Sequence, residues 1–215
     1  MAEPAGTVVA PSLARERVLA VAERLFAERG LARVTMREIA DAAGMRQASL
    51  YHHAPGGKAQ LYREAFERMI AHHRAGLEAS LRAAAPGLRP RLKAVADWYV
   101  GQAPMYFLRM MTSDMPALGE GEAAALSGPA YASLMAPITD AFRVAMVAGE
   151  ARPLDPDLLA GSLLAILDAV AFADGRGYGT QDQRTMAHTM IDVLVDGLSA
   201  RAGRGEAAAS LSPRR

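Results

Sequence analysis

The chain of 215 residues contains no cysteine, which excludes a disulfide framework, a thiol redox switch and a cysteine-based zinc site. Aromatic residues make up only 6% of the sequence, and threonine and isoleucine are also few. Alanine, leucine, methionine and arginine dominate instead. Because these residues favour helix over strand, the composition predicts an all-α fold.

Long apolar runs are also missing. The most apolar window, residues 158–173, is shorter than the roughly 20 residues that a membrane-spanning helix needs, and Ser162 and Asp168 interrupt it. The N-terminus shows no basic segment followed by an apolar run, the pattern of a secretory signal. We therefore expect a soluble protein, and the lack of cysteine fits a reducing cytoplasm.

The formal net charge is only +1, which by itself says little about nucleic acid. Its distribution says more, because residues 12–64 carry nine Lys and Arg against six acids, whereas residues 65–215 carry fifteen against sixteen. The positive excess lies in the N-terminal segment. An excess there is what phosphate neutralisation requires, although its size is modest.

Two short helical patterns separated by a glycine lie between Thr35 and residue 58. Thr35 and Glu38 have the spacing of a capping box, which predicts the start of a helix over residues 36–43. Gly44 can adopt the left-handed conformation that ends this helix. Its predicted inward face consists of Ile39, Ala40 and Ala43.

The second pattern predicts a helix over residues 46–53, anchored by the apolar side chains of Met45 and Leu50. Arg46, Gln47, Ser49 and His52 fall on its free side. Arg, Gln and Ser carry the hydrogen-bonding groups that suit base edges in a major groove. Together the two patterns predict a helix-turn-helix motif that binds DNA.

These residues resemble the DNA-binding domain of TetR-type transcriptional regulators over about residues 15–61. That family's pattern is an amphipathic first helix followed by Thr-x-x-x-Ile-Ala, Gly-Val-Ser, Leu-Tyr-x-His-Phe and a lysine. The matching residues, in order, are Ile39, Ala40, Gly44, Leu50, Tyr51, His53 and Lys58. The sequence departs from the pattern at Arg46, where the family has a serine cap, at Ala54, which replaces a bulky apolar residue, and in a longer turn at residues 55–57.

Backbone phosphates position such a protein, and base edges specify the sequence. For phosphate contacts we select Thr35 and Arg37 on the first motif helix, Tyr51 and His52 at the end of the second, and Lys58 at the start of the next helix. Thr35 is also a helix cap. Tyr51 has an alternative role as a core residue with its hydroxyl outward.

For base contacts we select Arg46 and Gln47, with Ala48 and Ser49 close to the bases. Arginine suits guanine and glutamine suits adenine, because each of these side chains can form two hydrogen bonds with its base. His53 reads better as a structural residue bonded to nearby backbone.

Helical periodicity and breaking residues predict seven further helices. They cover residues 12–30, 58–85, 88–103, 104–113, 129–148 with a bend at Pro137, 156–172 and 180–200. Asp155 before Pro156 predicts one helix start. Thr180 with Gln183 predicts a capping box at another.

The predicted organisation is an N-terminal three-helix DNA-binding head on a larger C-terminal helical domain. Residues 1–11 are expected to form a flexible arm, 12–57 the helix-turn-helix domain, 58–202 an effector-binding and dimerisation domain, and 203–215 a disordered tail.

The helix over residues 158–173 is apolar nearly all round, which requires burial on more than one side. Pairing of the last two helices with a second copy explains this, and the family resemblance implies the same four-helix arrangement. The alternative is a fully internal helix of a monomer. The expected interface consists of Leu159, Leu163, Ile166, Val170, Met186, Met190, Leu194 and Leu198.

Residues 98–115 are rich in Met and aromatic side chains. Methionine is flexible and recurs at surfaces that accept varied ligands, and the resemblance implies an effector pocket; an ordinary core filled with methionine is the alternative. The candidate ligand-binding residues are Trp98, Met105, Tyr106, Met110, Met111, Tyr131, Met135, Asp168 and Phe172.

No catalytic motif, cofactor-binding motif or metal-ligand spacing supports an enzyme. Adjacent histidines such as His72 and His73 point in different directions on a helix, so no metal or cofactor is expected. His188 is expected to be solvated or interfacial, with Asp168 or Asp192 as candidate partners. The sequence therefore predicts a homodimeric, ligand-responsive repressor that binds a DNA operator. An activator, a corepressor-dependent regulator and a nucleoid-associated protein are the alternatives.

Overall fold

The protein is described by a computed structural model that covers residues 12–102, 106–174 and 181–199. Every regular element in this part of the chain is helical, so the predicted all-α fold is confirmed. The chain divides into two compact units. The first unit comprises Met1–Ala75 and Gln102–Leu134, and the second comprises Gly76–Gly101 and Met135–Arg215.

The first unit begins with the three helices of the predicted head and most of the long helix that follows. Its elements are α1 (Leu13–Arg29), α2 (Met36–Ala42), α3 (Gln47–His53), α4 (Gly57–Ala83, which continues into the second unit), the short α6 (Phe107–Arg109), a π turn (Met110–Asp114), a 3-10 turn (Pro116–Leu118) and α7 (Glu120–Ala130). The second unit contains α5 (Leu88–Val100), α8 (Ala136–Val147), α9 (Pro156–Asp174) and α10 (Gln183–Leu198).

Three predicted helix starts are confirmed by their caps. The Ser12 side chain accepts a hydrogen bond from the Arg15 N–H, and Thr35 and Glu38 form both bonds of a capping box. The Asp155 carboxylate accepts from the backbone of Asp157 at 2.9 Å, ahead of Pro156. Such caps satisfy backbone N–H groups that the first turn leaves without partners.

The capping box predicted at Thr180 and Gln183 is wrong. Helix α10 begins at Gln183, and its cap is Asp182, whose carboxylate accepts from the Thr185 N–H at 3.0 Å. Thr180 itself lies outside the described residues. The segment offered two acceptors near one helix start, and Asp, which caps at least as well as Thr, is the one used.

The single helix predicted over residues 129–148 is also wrong. Pro129 lies inside α7, a π turn over Tyr131–Met135 interrupts the helix, and α8 starts with Pro137 in its first turn. The expected helix over residues 104–113 is likewise replaced by α6 and a π turn.

In the first unit, aromatic packing and ion pairs join α1 to α4. The Phe26 ring lies edge-on to that of Tyr62, with ring centres 5.2 Å apart. Arg15 on α1 pairs with Glu64 on α4 at 2.7 Å, and Arg68 on α4 pairs with Glu16 at the same distance. These contacts fix α1 against the helix that follows the helix-turn-helix.

The turn after α1 is held by hydrogen bonds from distant residues. The Leu31 N–H donates to the Asp114 carboxylate at 2.8 Å, and the Leu31 carbonyl accepts from the Lys58 ammonium at 3.0 Å. The Arg109 guanidinium donates to the carbonyls of Phe26 and Ala27, at 3.0 and 2.5 Å. We call these contacts of Lys58, Arg109 and Asp114 the turn clamp.

In the second unit, α5 is joined to α10 by charged side chains. Arg89 pairs with Asp192 and Asp196, and Lys93 donates to Asp192 at 3.0 Å. His188 contacts Asp97 at 2.9 Å, so the partners expected from the sequence, Asp168 and Asp192, are wrong. The residue pairs that meet here are some 90 to 110 positions apart, which local patterns do not reveal.

Helix α9 has one face buried in the second unit. Its window Pro156–Ala173 has a mean hydropathy of 1.6 and is long and apolar enough by composition to cross a membrane. Core helices of soluble proteins pass the same test. The buried face of α9 also carries Asp168, which accepts a hydrogen bond from the Tyr99 hydroxyl, as expected of a helix packed against a protein core.

Burial of His73 on α4 predicts a loss of stability in mild acid. Burial, aided by the charge of His72, lowers the pKa of His73 from 6.5 to about 4. Between these values the unfolded chain gains a proton that the folded chain does not, so stability is complete above pH 6.5 and falls towards pH 4. The loss should be on the order of 3 kcal/mol.

Urea unfolding of wild type and His73→Gln between pH 4 and 7 measures this effect. The variant should show a shallower decline, while His52→Gln, which removes an exposed histidine, should follow wild type. Coincident profiles for wild type and His73→Gln would contradict the prediction.

The backbone at Gly30 predicts a second effect on stability. Its φ is +79°, and a Cβ there would lie 2.9 Å from the Asp114 Oδ1 of the turn clamp. Gly44 also has a positive φ, +69°, but a Cβ there would meet nothing within 4 Å. Gly44→Ala should therefore cost about 1 kcal/mol, and Gly30→Ala more than about 2 kcal/mol, in urea unfolding. Equal costs would show that Asp114 does not press on this turn.

Candidate DNA interface

Helix α2 and the turn after it position the second motif helix. Ile39 and Ala40 are buried, and the capping box fixes where α2 begins. Gly44 has φ +69°, and the Met45 N–H that follows donates back to the Ala40 carbonyl at 3.0 Å. This left-handed residue ends α2 and turns the chain towards α3.

Helix α3 rests on the head through two buried residues. Leu50 and Ala54 are fully buried, and both lie on one side of the helix. The helix begins at Gln47, one residue later than predicted, and Arg46 occupies the cap position without a side-chain cap bond. Arg46 therefore precedes the helical turn instead of belonging to it.

The rest of α3 is open to solvent in the chain. Tyr51 is 45% exposed. The other exposed residues here are Arg46, Gln47, Ala48, Ser49 and His52. The structure thus places all four residues selected for base contacts on one accessible surface at the start of α3. His53, for which we expected a structural role, is half-buried.

The residues selected for phosphate contacts differ in their freedom. Arg37 is exposed, with Asp41 3.9 Å away. Thr35 is exposed, but its hydroxyl already serves the capping box, and these bonds lower the pKa of Glu38 below its usual value. Lys58 is half-buried and its ammonium belongs to the turn clamp, so a phosphate contact by Lys58 would be added to a structural bond.

Some residues of interest were not identified from the sequence. Arg33 is exposed in the turn between α1 and α2, two positions before the capping Thr35, and that position is the only sequence signal for it. Arg109 and Asp114 of the turn clamp left no signal, because their partners are backbone groups more than 80 positions away.

The predicted ligand-binding residues fall in different units. Tyr106 and Met110 line a cavity in the first unit. Met111 and Tyr131 also belong to the first unit and are partly exposed. Met105 lies outside the described residues.

The remaining candidates belong to the second unit. They are Trp98, Met135, Asp168 and Phe172. The Trp98 indole lies against Gly76, where an added Cβ would come within 2.0 Å of the ring. Asp168 is occupied by Tyr99. Both residues thus already have structural neighbours in the second unit.

The predicted dimer-interface residues divide by burial. Leu159, Leu163, Val170 and Leu198 are buried within their own chain, so they line the core of the second unit. Ile166, Met186 and Leu194 are half-buried, and Met190 is 40% exposed. For the four buried residues the expectation needs correction, because periodicity identified the apolar faces of α9 and α10 without showing which face the chain itself covers.

A capped helix, a glycine turn and a short, exposed second helix define a helix-turn-helix DNA-binding protein. Residues 18–65 match the sequence profile of the bacterial regulatory proteins of the tetR family. The chain belongs to this family, which its N-terminal domain identifies.

A curated relative supports this identification. The HTH-type transcriptional repressor KstR2 of Rhodococcus jostii (strain RHA1) is 52% identical over 50 residues, which are 23% of this chain and 24% of that protein. The chain thus matches about a quarter of the length of this relative, and the match says nothing about the remainder.

Solved structures extend the likeness of fold to most of the chain. AibR in complex with isovaleryl coenzyme A and operator DNA has a TM-score of 0.68 at 22% identity, covering 84% of this chain and 97% of that one. The ketosteroid transcriptional regulator KstR2 of Mycobacterium tuberculosis has a TM-score of 0.67 at 20% identity, covering 89% and 97%. At these identities the likeness concerns the fold.

The unfilled cap at Arg46 leads to a prediction with two readouts. In Arg46→Ser the new hydroxyl can accept from the Ser49 N–H at the start of α3, which should stabilise the fold by about 1 kcal/mol. The same change removes a proposed base contact, so affinity for cognate duplex should fall by about 1 to 3 kcal/mol.

Thermal unfolding and duplex titration measure the two effects. Arg46→Ala is the matched control, because it removes the same contact without supplying a cap and should weaken binding with no gain in stability. If Arg46→Ser binds duplex as tightly as wild type, Arg46 does not contact the bases.

Proposed function

We propose that the chain is a homodimeric transcriptional repressor that binds a palindromic operator through α3 and is released from it by a small apolar or aromatic effector. The observation that carries the proposal is the exposed start of α3, held on a head whose own helices bury the opposite side of that helix. Family membership and the names of its relatives support a regulatory, non-enzymatic role. Because the proposed partner is genomic DNA, the proposed place of action is the cytoplasm.

The proposed division of labour follows exposure. Gln47 and Arg46 read base edges, with Ala48 and Ser49 close to the bases. Arg37 and His52 contact phosphates on either side of the motif, and Tyr51 adds its hydroxyl. Thr35 and Lys58 complete the phosphate contacts in addition to their structural bonds.

Dimerisation is supported by an apolar stripe that the second unit leaves uncovered. On α9, Leu158 is 67% exposed and Phe172 47% exposed, with Ala165, Ile166 and Ala169 at helical spacing between them. On α10, Val193 is 63% exposed and follows Met190 and Met186 on the same face. Two copies joined there would bury these side chains.

A dimer also suits the recognition of DNA. Two recognition helices can enter successive major grooves when they are held about 34 Å apart, and such pairs read sites with two-fold symmetry. A single seven-residue α3 offers few base contacts, so two half-sites multiply its selectivity.

The proposed effector response is supported by a structural neighbour. That neighbour was solved with both a coenzyme A thioester and operator DNA, which shows one protein of this fold with both kinds of ligand. For the present chain, an effector would act by preferring a conformation that fits the operator poorly, because equal affinity for both conformations changes nothing.

Selection from a pool of random duplexes, followed by footprinting, tests the DNA-binding function. The expected result is one protected site with two related half-sites. Protection along the whole duplex would indicate an architectural DNA-binding protein, and failure to bind any duplex at low salt would contradict the proposal.

Two substitutions refine the assignment of contacts. Gln47→Ala should relax the choice of base at one or two positions in each half-site, at a cost of about 1 to 3 kcal/mol, whereas Gln183→Ala in the second unit should change nothing. Arg37→Ala should weaken all sequences alike and reduce the salt dependence by about one ion per contact. Unchanged selectivity of Gln47→Ala would show that Gln47 does not read a base.

The apolar stripe predicts the oligomeric state. Val193→Glu places a charge in the proposed interface and should shift the protein from dimer to monomer in sedimentation analysis, because an unpaired buried charge is strongly unfavourable. Val147→Glu at the end of α8, where the side chain is 87% exposed, is the matched control and should leave the dimer intact. A wild-type monomer, or a dimeric Val193→Glu, would contradict the proposed interface.

A further inference from the structure

The first unit contains a cavity of about 530 Å³ that the helix-turn-helix does not use. Its walls come from α1, from α4 and from the segment that includes α6 and the π turn after it. The apolar lining includes Phe26, Tyr62, Phe66, Met69, Tyr106 and Met110. Well-packed interiors rarely leave voids much larger than a water molecule, whereas sites for small molecules occupy about 300 to 1,000 Å³.

The cations at this cavity are already paired. The Arg109 guanidinium donates to two carbonyls of α1 and lies 3.4 Å from Asp114. Arg24 lies 3.4 Å from Glu28 on the same helix. An anionic ligand would therefore have to displace bonds that exist, so the charge pattern favours a neutral or cationic molecule.

The acidic lining offers an acceptor. Glu23 on α1 is partly buried at the cavity, and its nearest cation, Arg68, is 3.6 Å away, beyond a good hydrogen bond. Burial raises the pKa of Glu23, with Arg68 and His72 opposing that effect. A ligand hydroxyl or amine that donates to Glu23 would improve the solvation of this carboxylate. Across the cavity, the His72 ring contacts the Gln102 amide at 2.9 Å.

We propose that this cavity is the effector site, and that it takes a compact apolar or aromatic molecule, neutral or cationic, with a hydrogen-bond donor directed at Glu23. The inference deepens the proposed function and rests on it. It differs from the pocket expected from the sequence, since of that set only Tyr106 and Met110 line this cavity among the described residues.

The position of the cavity supplies a route to the DNA-binding head. Arg109 and Asp114 both line the cavity and both belong to the turn clamp, which holds the end of α1 and the Leu31 peptide. Four residues after Leu31 comes Thr35, the cap of α2. A ligand that separates α1 from the π turn would loosen the clamp and shift α2 and α3 together, so the effector would act from within the first unit.

Fluorescence titration with N-phenyl-1-naphthylamine, a neutral aromatic molecule with one N–H donor, tests the site. Wild type should bind one molecule per chain. Met69→Trp fills the cavity and should weaken binding at least about tenfold, and Glu23→Gln should weaken it about threefold. The matched controls are Met146→Trp on α8 and Glu67→Gln on the exposed side of α4, and both should bind as wild type does.

The same samples are then titrated with the selected operator duplex, with and without saturating probe. Weaker operator binding by at least about fivefold in the presence of probe supports the regulatory role. Equal probe affinity in Met69→Trp and Met146→Trp, or a probe that leaves operator binding unchanged, would overturn the inference while the proposed function stands. Wild type that binds no duplex in the absence of probe would overturn the proposed function itself. Glu23→Gln, which barely changes side-chain volume, decides the matter if Met69→Trp fails to fold.

Discussion

The geometry of the DNA-binding head depends on how the Leu31 peptide is held. Its N–H donates to Asp114 and its carbonyl accepts from Lys58, so one peptide unit joins the turn after α1 to two distant parts of the first unit. Buried backbone groups without partners are costly, and here both are satisfied by charged side chains, which form the stronger hydrogen bonds. The chain that enters α2 therefore starts from a fixed position, and α3 follows from the capped helix and Gly44.

The sequence predicted those features of the fold that depend on neighbouring residues. The capping box of Thr35 and Glu38, the glycine that ends α2 and the burial of Leu50 are all encoded within a few positions, and the structure has each of them. The π turns around residues 110–114 and 131–135 were missed because helical periodicity does not distinguish an inserted residue from a regular turn. The turn clamp was missed because its acceptors are backbone carbonyls, which carry no sequence signal.

Burial explains why the candidate sites were predicted unevenly. The exposed residues of α3 were identified because the apolar anchors of a short helix leave its other side free. On α9 the apolar residues extend round the helix, so Leu163, which is fully buried in its own chain, and Leu158, which is exposed, look alike in sequence. Only the packing of the second unit separates a core face from a face that a second copy can cover.

The most direct test of the account is the accessibility of α3 in the presence of DNA. Because the chain has no cysteine, Ala48→Cys introduces a single thiol on the proposed base-reading surface, and its rate of alkylation by N-ethylmaleimide can be measured with and without the selected duplex. We predict that duplex strongly slows alkylation at position 48 and leaves the rate of an Ala79→Cys variant, labelled on the exposed side of α4, unchanged. Equal rates at position 48 with and without bound duplex would contradict the account.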